Sequence, residues 1–295
     1  SFTGAFRGRT WREAATRLFT GVGAASRRGL PMALTIAVLV LATGFWHVRL
    51  TDAAPPGWRL PTNFLLVATW TAYLAVHLAD PGVVDAASKI EEVRRLSADA
   101  TRKYHSALDA LANGDDTDLP RMNHTCQIVP PARSKHCRVL RKCVLLFDHF
   151  CPFVGNAVGL YNYRWFYLFL LCGVCAFVGW YVAAVTLLMH KGMDWPVLLT
   201  SVVIFSGLPP MVGLLAFHTQ LVWFNMTTNE AQNRGRYKYL QDKDGRFHNP
   251  YDMGCLHNAG TRICPSRRAF EVSKKIGEEE EKKIEMKQLL SPEIV

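Results

Sequence analysis

Apolar residues are concentrated in four stretches, each long enough to form a helix across a lipid bilayer and each free of Asp, Glu, Lys and Arg. These stretches are Leu30–Trp46, Leu60–Leu78, Trp165–Met189 and Trp195–Phe224. At 1.5 Å per residue the shortest of them gives a helix of about 26 Å, which just spans a hydrocarbon core. The pattern predicts an all-α integral membrane protein with four transmembrane helices, two within residues 30–80 and two within residues 164–225.

Helix-breaking and ionisable residues mark particular points of these stretches. Asp80-Pro81-Gly82 ends the second stretch, because proline and glycine do not continue a helix. Pro209-Pro210 interrupts the fourth, so we expect a kink or a tilt there. His77 and His218 lie in or near spans, close to an interface, where hydrogen bonds to headgroups or water are expected.

The remaining segments are polar, and one of them has the periodicity of an amphipathic helix. Residues 84–112 place apolar side chains such as Val93, Ala100 and Tyr104 at helical spacing, with charges between them. This helix is predicted within a linker, residues 81–122. The linker leads into a segment rich in Cys and His, residues 123–163.

Basic residues lie mainly outside the predicted membrane helices. Of the 34 Lys and Arg residues, six lie in 1–29, 12 in 81–164 and 13 in 226–295. By the positive-inside rule, the N-terminal segment 1–29, the middle segment and the tail 226–295 all face the cytosol, which an even number of spans permits. A basic surface against anionic lipid explains the net charge of +10, and no nucleic-acid partner is expected.

Cysteine and histidine in residues 123–163 indicate a metal site or covalent chemistry. A cytosolic, reducing location disfavours disulfides. Cys126, His136 and Cys143 are spaced like zinc ligands, and each supplies a soft or borderline donor. A tetrahedral zinc site needs a fourth ligand, for which His124, Asn123 and water are the alternatives.

Asp148-His149-Phe150-Cys151 contains the parts of an activated nucleophile. A thiol is mostly protonated at neutral pH, and an imidazole oriented by a carboxylate can accept its proton. Side chains two or three apart need not converge, so the spacing alone leaves two interpretations. Cys151 is either a catalytic nucleophile or, together with His149, part of a metal site.

Residues 123–157 resemble the cysteine-rich domain of the DHHC protein S-acyltransferases, with Asp-His-Phe-Cys in place of Asp-His-His-Cys. Three further motifs of that family recur in the same order. Asp80-Pro81-Gly82 matches its DPG motif, Thr227-Thr228-Asn229-Glu230 matches TTxE, and the stretch from Asn249 to Asn258 resembles its C-terminal aromatic and Asn motif. Members of the family branch with ankyrin repeats also have an aromatic residue at the position of Phe150, so the chain resembles that branch. Ankyrin repeats or further helices before Ser1 are compatible with this resemblance.

The resemblance implies an enzyme that moves a fatty acyl chain, typically palmitoyl, from acyl-CoA through an acyl-Cys151 intermediate to cysteines of membrane-associated substrate proteins. It implies that Cys151 is the nucleophile, that His149 is the general base and that Asp148 orients His149. It also places Arg133 and Lys135 near the CoA phosphates, where guanidinium and ammonium groups are well suited.

Three further roles follow from the same resemblance. Phe153, which replaces a Trp of the family, is expected to form an apolar wall near the acyl chain. Thr228, next to Thr227 and Glu230 in the TTxE motif, is expected to brace Asp148. Tyr251 and Asn258 are expected to hold the tail against the helices.

The chain departs from the family pattern at its zinc ligands. At the second zinc site Leu140, Phe150 and Ala157 stand where the family has Cys, His and Cys, and only Cys137 remains. Because the replacements are apolar, we predict a small hydrophobic core there, in which buried Leu and Phe contribute about 3–6 kcal/mol. At the first site Asn123 replaces the leading Cys, so at most one structural zinc is expected, with no bound zinc as the alternative.

Two other functions compete with acyl transfer. A catalytically silent membrane scaffold could bind partner proteins after losing activity along with its metal ligands, but retention of Asp148, His149 and Cys151 favours the enzyme. A transporter is disfavoured, because no span carries paired charges. We expect an endomembrane location, Golgi or ER, with both termini in the cytosol and membrane lipid as a partner.

Overall fold

The computed structural model describes residues 29–115, 119–242, 244–264, 275–277 and 279. The predicted N-terminal segment 1–29, apart from its last residue, lies outside the described residues. Most of the tail beyond residue 264 does so too.

Helices make up most of the described chain. In chain order they are α1 (Gly29–Leu50, with a π-helical last turn), α2 (Pro56–Leu78), α3 (Glu91–Ala112), α4 (Tyr163–Lys191), α5 (Trp195–Trp223), α6 (Thr228–Asn233) and α7 (Cys255–Ile263). Two short 3-10 turns, Arg234–Arg236 and Lys238–Leu240, follow α6. The protein is therefore mostly helical, as the hydrophobic pattern predicts.

Three of the described helices are long and apolar enough to cross a membrane, namely α1, α4 and α5. They confirm three of the four predicted spans, within a few residues at each end. The second predicted span also forms a helix, α2, but it falls short of the hydropathy of the other three. The helix α5 continues without interruption through Pro209 and Pro210.

Local sequence explains how α4 ends and α5 begins. Gly192 follows α4 with a φ of +78°, a conformation that glycine adopts without steric cost. Asp194 then caps α5, because its side chain accepts a hydrogen bond from the Val197 N–H at 3.2 Å, and Pro196 occupies the first turn, where no N–H is needed.

Close packing of α2 against α4 organises the helix bundle. These two helices share an extensive interface. At its centre, a Cβ atom on Gly179 would lie only 2.0 Å from the Thr62 hydroxyl, so only glycine permits this approach. Trp180 is buried beside it, and its indole N–H donates to the Ala42 carbonyl of α1 at 3.2 Å. The bundle therefore includes α1 as well as the α2–α4 pair.

The Cys-rich segment forms two short antiparallel hairpins, which corrects the expectation of an all-α protein. Strands β1 (Lys135–Cys137) and β2 (Lys142–Val144) form the first, and β3 (His149–Cys151) and β4 (Asn156–Val158) form the second. Cross-strand pairing can hold a small loop-rich domain in one register without helices. The hairpins carry three of the cysteines, Cys137, Cys143 and Cys151, together with His136 and His149.

The helix α3 begins at Glu91, later than the predicted start at residue 84. Residues just before it serve the Cys-rich domain instead: Val83 pairs with Val144 in an isolated bridge, and the Val84 N–H donates to the Cys143 carbonyl at 2.8 Å. From Val93 onward, the apolar face of α3 packs on this domain, as the amphipathic pattern predicts.

Candidate active site

The four positions of the lost second metal site lie together in one apolar cluster. Cys137 and Ala157 are buried in it, and Leu140 and Phe150 pack against it as partly buried side chains. Strand register explains part of this proximity, because Phe150 lies opposite Ala157 in the β3–β4 hairpin. The prediction that a small hydrophobic core stands in place of this metal is confirmed.

The first metal site retains three converging donors. Cys126 Sγ lies 3.2 Å from His136 Nδ1 and 3.1 Å from Cys143 Sγ. The three donor atoms lie within 4.8 Å of one another, and His136 faces Cys143 across the β1–β2 hairpin. Two thiols and one imidazole at this separation are a donor set that suits zinc.

The structure contradicts the expectation that His124 completes this zinc site. His124 lies outside the group of converging donors, and its Nδ1 is 3.0 Å from the Tyr104 hydroxyl of α3. Asn123, the other protein alternative, has its side-chain oxygen engaged by the Cys126 N–H at 2.9 Å. A water molecule remains as the alternative for a fourth ligand.

The β3–β4 hairpin brings the predicted catalytic residues together. His149 and Cys151 are two residues apart on β3, so both side chains project from the same face of the strand, and the Cys151 thiol is close enough to raise the pKa of His149. The hairpin is fastened to the end of α2 by Asn156, whose amide donates to the carbonyls of Val76, His77 and Ala79 at 3.0–3.1 Å. This contact also satisfies the carbonyls that a helix C-terminus leaves free.

Asp148 is fully buried and saturated with hydrogen-bond donors. Its Oδ2 lies 2.8 Å from His149 Nδ1 and accepts the Thr228 hydroxyl at 2.6 Å. Its Oδ1 accepts the Thr228 N–H at 3.1 Å and Arg262 Nη2 at 2.8 Å. Burial alone would raise the pKa of Asp148, but these donors hold it well below its ordinary value. Thr228 therefore lies where the resemblance places it.

His149 is held as a strong base by its surroundings. Burial lowers its pKa, but the hydrogen bonds to Asp148 and Cys151 outweigh burial and raise the pKa to about 9. Its ring packs edge-on against Phe166 of α4, with a centroid distance of 5.1 Å. On another side the ring of His218 lies 5.7 Å away.

The raised pKa of His149 predicts a pH-dependent contribution to stability. This contribution is complete below the unfolded pKa of about 6.5 and is lost as the pH rises through about 9. The thermal unfolding midpoint in detergent is therefore expected to differ most between the parent chain and His149→Gln near pH 6, and least near pH 10. A difference that stays constant over this range would contradict the assignment.

An apolar cavity of about 440 Å³ opens beside Cys151 and runs between α1, α2, α4 and α5. Its walls along α4 extend from Phe166 to Trp180, which corresponds to about 21 Å of helix. Phe153 lines it near Cys151, as expected for an apolar wall. The cavity is therefore long and apolar, and the Cys151 thiol lies at one end of it.

The structure contradicts the expectation that Arg133 contacts CoA phosphates. Its side chain is buried and forms a two-pronged ion pair with Glu230, with both nitrogen–oxygen distances at 2.7 Å. The remaining donors reach the side-chain and main-chain oxygens of Asn225, and its guanidinium carbon lies 4.2 Å from the Tyr251 ring centroid. Arg133 is therefore a buried structural cation, and each of its three nitrogens already has a partner within the protein.

Glu230 has a second structural role in the TTxE motif. Its carboxylate accepts the Thr227 N–H at 2.9 Å, while the Thr227 hydroxyl accepts the Glu230 N–H at 3.0 Å. This reciprocal pair is a capping box that starts α6. It fixes the backbone at Thr228 and so positions the hydroxyl that contacts Asp148.

Lys135, in contrast to Arg133, lies at the surface among other cations. Its side chain donates to the Asn229 amide oxygen, and partial burial lowers its pKa. Arg121, Arg236 and Arg138 lower it further by repulsion. All three arginines are exposed. This basic cluster, Lys135 with Arg121, Arg138 and Arg236, is suited to a multiply charged anion.

The tail is attached to the end of α5 by Tyr251 and Asn258. The Asn258 amide donates to the Trp223 carbonyl at 2.7 Å, and the Asn225 amide donates to the Tyr251 carbonyl at 2.9 Å. Both Tyr251 and Asn258 are buried. These contacts bring α7, and with it Arg262, against the hairpin that carries Asp148.

Sequence reasoning missed His218 and Arg262 as neighbours of the site. His218 is fully buried on α5, with Nδ1 3.1 Å from the Tyr163 hydroxyl, rather than bonded to headgroups or water. His218, Asp148 and His149 lie within 4.8 Å of one another, but Asp148 already accepts four hydrogen bonds and faces a guanidinium, which disfavours a metal there. A position near a helix end was the only sequence signal for His218.

The fold and the site define an integral membrane protein that holds a cysteine beside a histidine–aspartate pair at the mouth of an apolar cavity. The model of one family, DHHC palmitoyltransferase, matches residues 116–235. These residues belong to the DHHC palmitoyltransferase family, which confirms the resemblance noted in the sequence.

Named relatives extend the similarity beyond the matched domain. The chain is 30% identical over 258 residues to palmitoyltransferase ZDHHC14 of Homo sapiens, covering 78% of this chain and 51% of the relative. It is 28% identical over 270 residues to palmitoyltransferase ZDHHC17 of Danio rerio, covering 76% and 41%. For palmitoyltransferase ZDHHC18 of Homo sapiens the identity is 31% over 222 residues, covering 67% and 56%. The chain thus spans about half the length of the curated relatives it matches.

Proposed function

We propose that this protein is a protein-cysteine S-acyltransferase, which moves a fatty acyl chain such as palmitoyl from acyl-CoA to cysteines of membrane-associated proteins. The observation that carries the proposal is the position of Cys151, which lines the apolar cavity and lies beside His149 on β3. A nucleophile at the end of a hydrophobic channel suits a substrate with a reactive thioester head and an apolar tail. The palmitoyltransferase names of the relatives support the same activity.

In the first half of the reaction, neutral His149 accepts the proton of the Cys151 thiol, and the thiolate attacks the thioester carbonyl carbon of acyl-CoA. The bond from that carbon to the CoA sulfur breaks, and the leaving CoA thiolate takes the proton back from His149. In the second half, a substrate cysteine gives its proton to His149 and attacks acyl-Cys151, and the released Cys151 thiolate recovers that proton. Asp148 stays ionised and orients the imidazole throughout.

The cavity supplies binding energy for the acyl chain. Each methylene transferred from water to an apolar site contributes about 0.8 kcal/mol, so a long chain gains far more than a short one. The lining residues between Phe166 and Trp180 are predominantly apolar, which suits a saturated chain. The thioester carbon then lies at the mouth of the cavity, within reach of Cys151.

The proposed topology has four spans, with α2 as the fourth membrane helix and the Cys-rich domain on the cytosolic side between α2 and α4. Packing of α2 along α4 supports this, because a helix with such an interface lies at the same depth as its partner. We propose the domain limits 1–29, 30–80, 81–122, 123–163, 164–225 and 226–295. The excess of Lys and Arg outside the membrane helices supports cytosolic termini, and we propose an endomembrane, Golgi or ER, location.

Zinc is proposed at the first metal site only. Cys126, His136 and Cys143 would hold it, and its contribution would be structural, joining the β1–β2 hairpin to the preceding loop.

We propose that the basic cluster of Lys135, Arg121, Arg138 and Arg236 binds the CoA phosphates, with Lys135 keeping its predicted role.

Arg236→Glu is expected to raise KM for palmitoyl-CoA by about tenfold at low salt, with little effect on kcat, because it weakens ground-state attraction. The effect should shrink as ionic strength rises. Lys238→Glu, an exposed control two residues away that is not among the cations acting on Lys135, should leave KM unchanged. An equal rise in KM for both variants would show that only overall charge matters.

Intact-protein mass spectrometry tests the proposed activity directly. Purified protein incubated with palmitoyl-CoA is expected to gain one palmitoyl group that hydroxylamine removes, as a thioester requires. Cys151→Ser should show no gain, whereas Cys255→Ser, at a partly exposed thiol where α7 begins, should behave like the parent chain. Folded protein without any adduct would favour the silent scaffold instead.

A further inference from the structure

Arg262 reaches the catalytic carboxylate from a part of the chain 114 residues away. It lies on α7, and its Nη2 donates to Asp148 Oδ1 at 2.8 Å. Both side chains have no exposed surface. The guanidinium carbon lies 3.9 Å from the ring centroid of Tyr163, so an aromatic face covers the cation. Arg262 is thus enclosed between the carboxylate and an aromatic ring.

The hydrogen bonds of Arg262 show that its charge is directed at Asp148. Within the described part of the chain, its Nε and Nη1 have no hydrogen-bond partner. A buried guanidinium is costly, and the carboxylate that this one contacts directly is Asp148, with Glu230 adding a coulombic attraction. A side chain that served only to fill space would avoid that cost by carrying no charge. The arrangement therefore favours an electrostatic role at the active site.

We propose that Arg262 is a positioning residue, which fixes the Asp148 carboxylate against His149 and offsets part of its negative charge. As a consequence, His149 releases its proton at a lower pH than it would beside Asp148 alone. This inference rests on the proposed acyl transfer for its role in catalysis. The basicity of His149 then depends on whether α7, which carries Arg262, is docked against Asp148.

The groups facing His149 account for the direction of this effect. Asp148 and Cys151 face it from its own hairpin and favour the protonated imidazole. His218 of α5 faces it at 5.7 Å, Tyr163 lies behind His218, and Arg262 acts through Asp148. Among these groups only Arg262 is permanently cationic. Removing it strengthens the attraction between Asp148 and the imidazolium, which raises the pH at which His149 becomes neutral.

The test compares the pH profile of Cys151 acylation for the parent chain, Arg262→Gln and Arg262→Lys. The glutamine keeps an N–H donor for Asp148 without the charge, and the lysine keeps the charge. In Arg262→Gln, the midpoint of the rising limb of the profile is expected to move up by about one pH unit. In Arg262→Lys it should stay close to the parent value. If the glutamine variant does not fold, Arg262→Met provides a second uncharged side chain of similar length.

A second readout needs no acyl donor. Diethyl pyrocarbonate modifies neutral imidazole, so its reaction with His149, followed by peptide mass spectrometry over a range of pH, reports the protonation of this residue. The same upward shift is expected in Arg262→Gln. A shift in labelling without any acyl adduct in the parent chain would support the electrostatic role while rejecting the proposed function. An adduct with unshifted midpoints would reject the role of Arg262 alone.

Arg49→Met is the matched control, because Arg49 also pairs with an aspartate, Asp194, but between the loop ends of α1 and α5. It should leave both pH profiles unchanged. The inference is overturned if Arg262→Gln lowers the rate by the same factor at every pH, since that result indicates a purely structural role. A downward shift of either midpoint would overturn it as well.

Discussion

His149→Gln is expected to slow acylation of Cys151 by about 10²–10⁴-fold, the loss typical of removing a positioned general base. Glutamine has a similar length but cannot accept and return a proton near neutral pH. Asp148→Asn is expected to cause a loss of similar size, because a neutral amide no longer stabilises the imidazolium or fixes the tautomer that faces Cys151. Both losses should fall on kcat more than on KM.

Single-turnover acylation with palmitoyl-CoA, followed by intact mass, measures these rates. His105→Gln serves as a control, because His105 is an exposed histidine on α3, far along the chain from the β3–β4 hairpin. The double variant His149→Gln with Asp148→Asn should lose little more than either single variant, since the two residues act as a unit. An acylation rate that is unchanged in His149→Gln would assign the base to another residue.

Glu230→Gln is expected to lower the free energy of unfolding by about 3–5 kcal/mol, because it leaves the Arg133 guanidinium buried without its counter-charge. In that variant Arg133 keeps the oxygens of Asn225, the ring of Tyr251 and one uncharged amide oxygen in place of the carboxylate. Burial alone would raise the pKa of Glu230, yet Arg133 lowers it below its ordinary value, so the carboxylate stays charged. Activity should fall too, because Glu230 also caps the helix that positions Thr228.

Unfolding in detergent micelles checks this second prediction. Asp99→Asn is the comparison, because Asp99 pairs with the exposed side chains of Arg102 and Lys103, and its loss should leave the midpoint nearly unchanged. The double variant Arg133→Met with Glu230→Met should be more stable than either single variant, since no unpaired charge stays buried. If Glu230→Gln is as stable as the parent chain, Arg133 is solvated by a route other than this ion pair.

Local patterns in the sequence predicted the membrane helices, the amphipathic helix α3 and the apolar replacement of one metal site. A hydrophobic run is enough to predict a membrane helix, because the helix makes all of its backbone hydrogen bonds within the segment. Residues elsewhere in the chain are not needed for this prediction. The replacement of Cys, His and Cys by Leu140, Phe150 and Ala157 was also informative. Three apolar side chains at positions that converge in the family pattern are expected to pack on one another, and they do. The Asp148–His149–Cys151 group could be proposed from adjacency and from family resemblance.

Spacing did not distinguish which polar side chains converge. His124 was assigned to zinc because it lies two residues from Cys126, but it contacts Tyr104 on α3 instead. The resemblance places Arg133 near the CoA phosphates, but its side chain pairs with Glu230, 97 residues further along the chain. In both cases the partner lies on a helix whose docking the local sequence does not encode.

The sequence by itself therefore predicted the helical membrane architecture, the candidate nucleophile with its adjacent base and carboxylate, and the apolar cluster at the second metal site. The tertiary structure alone decided further surroundings of these residues: Arg262 on Asp148, His218 beside His149, and the extent of the cavity beside Cys151. The physical reason is the distance along the sequence over which each kind of interaction acts. Backbone hydrogen bonds and hydrophobic periodicity are local, whereas burial and electrostatic pairing depend on residues that meet only after the helices pack.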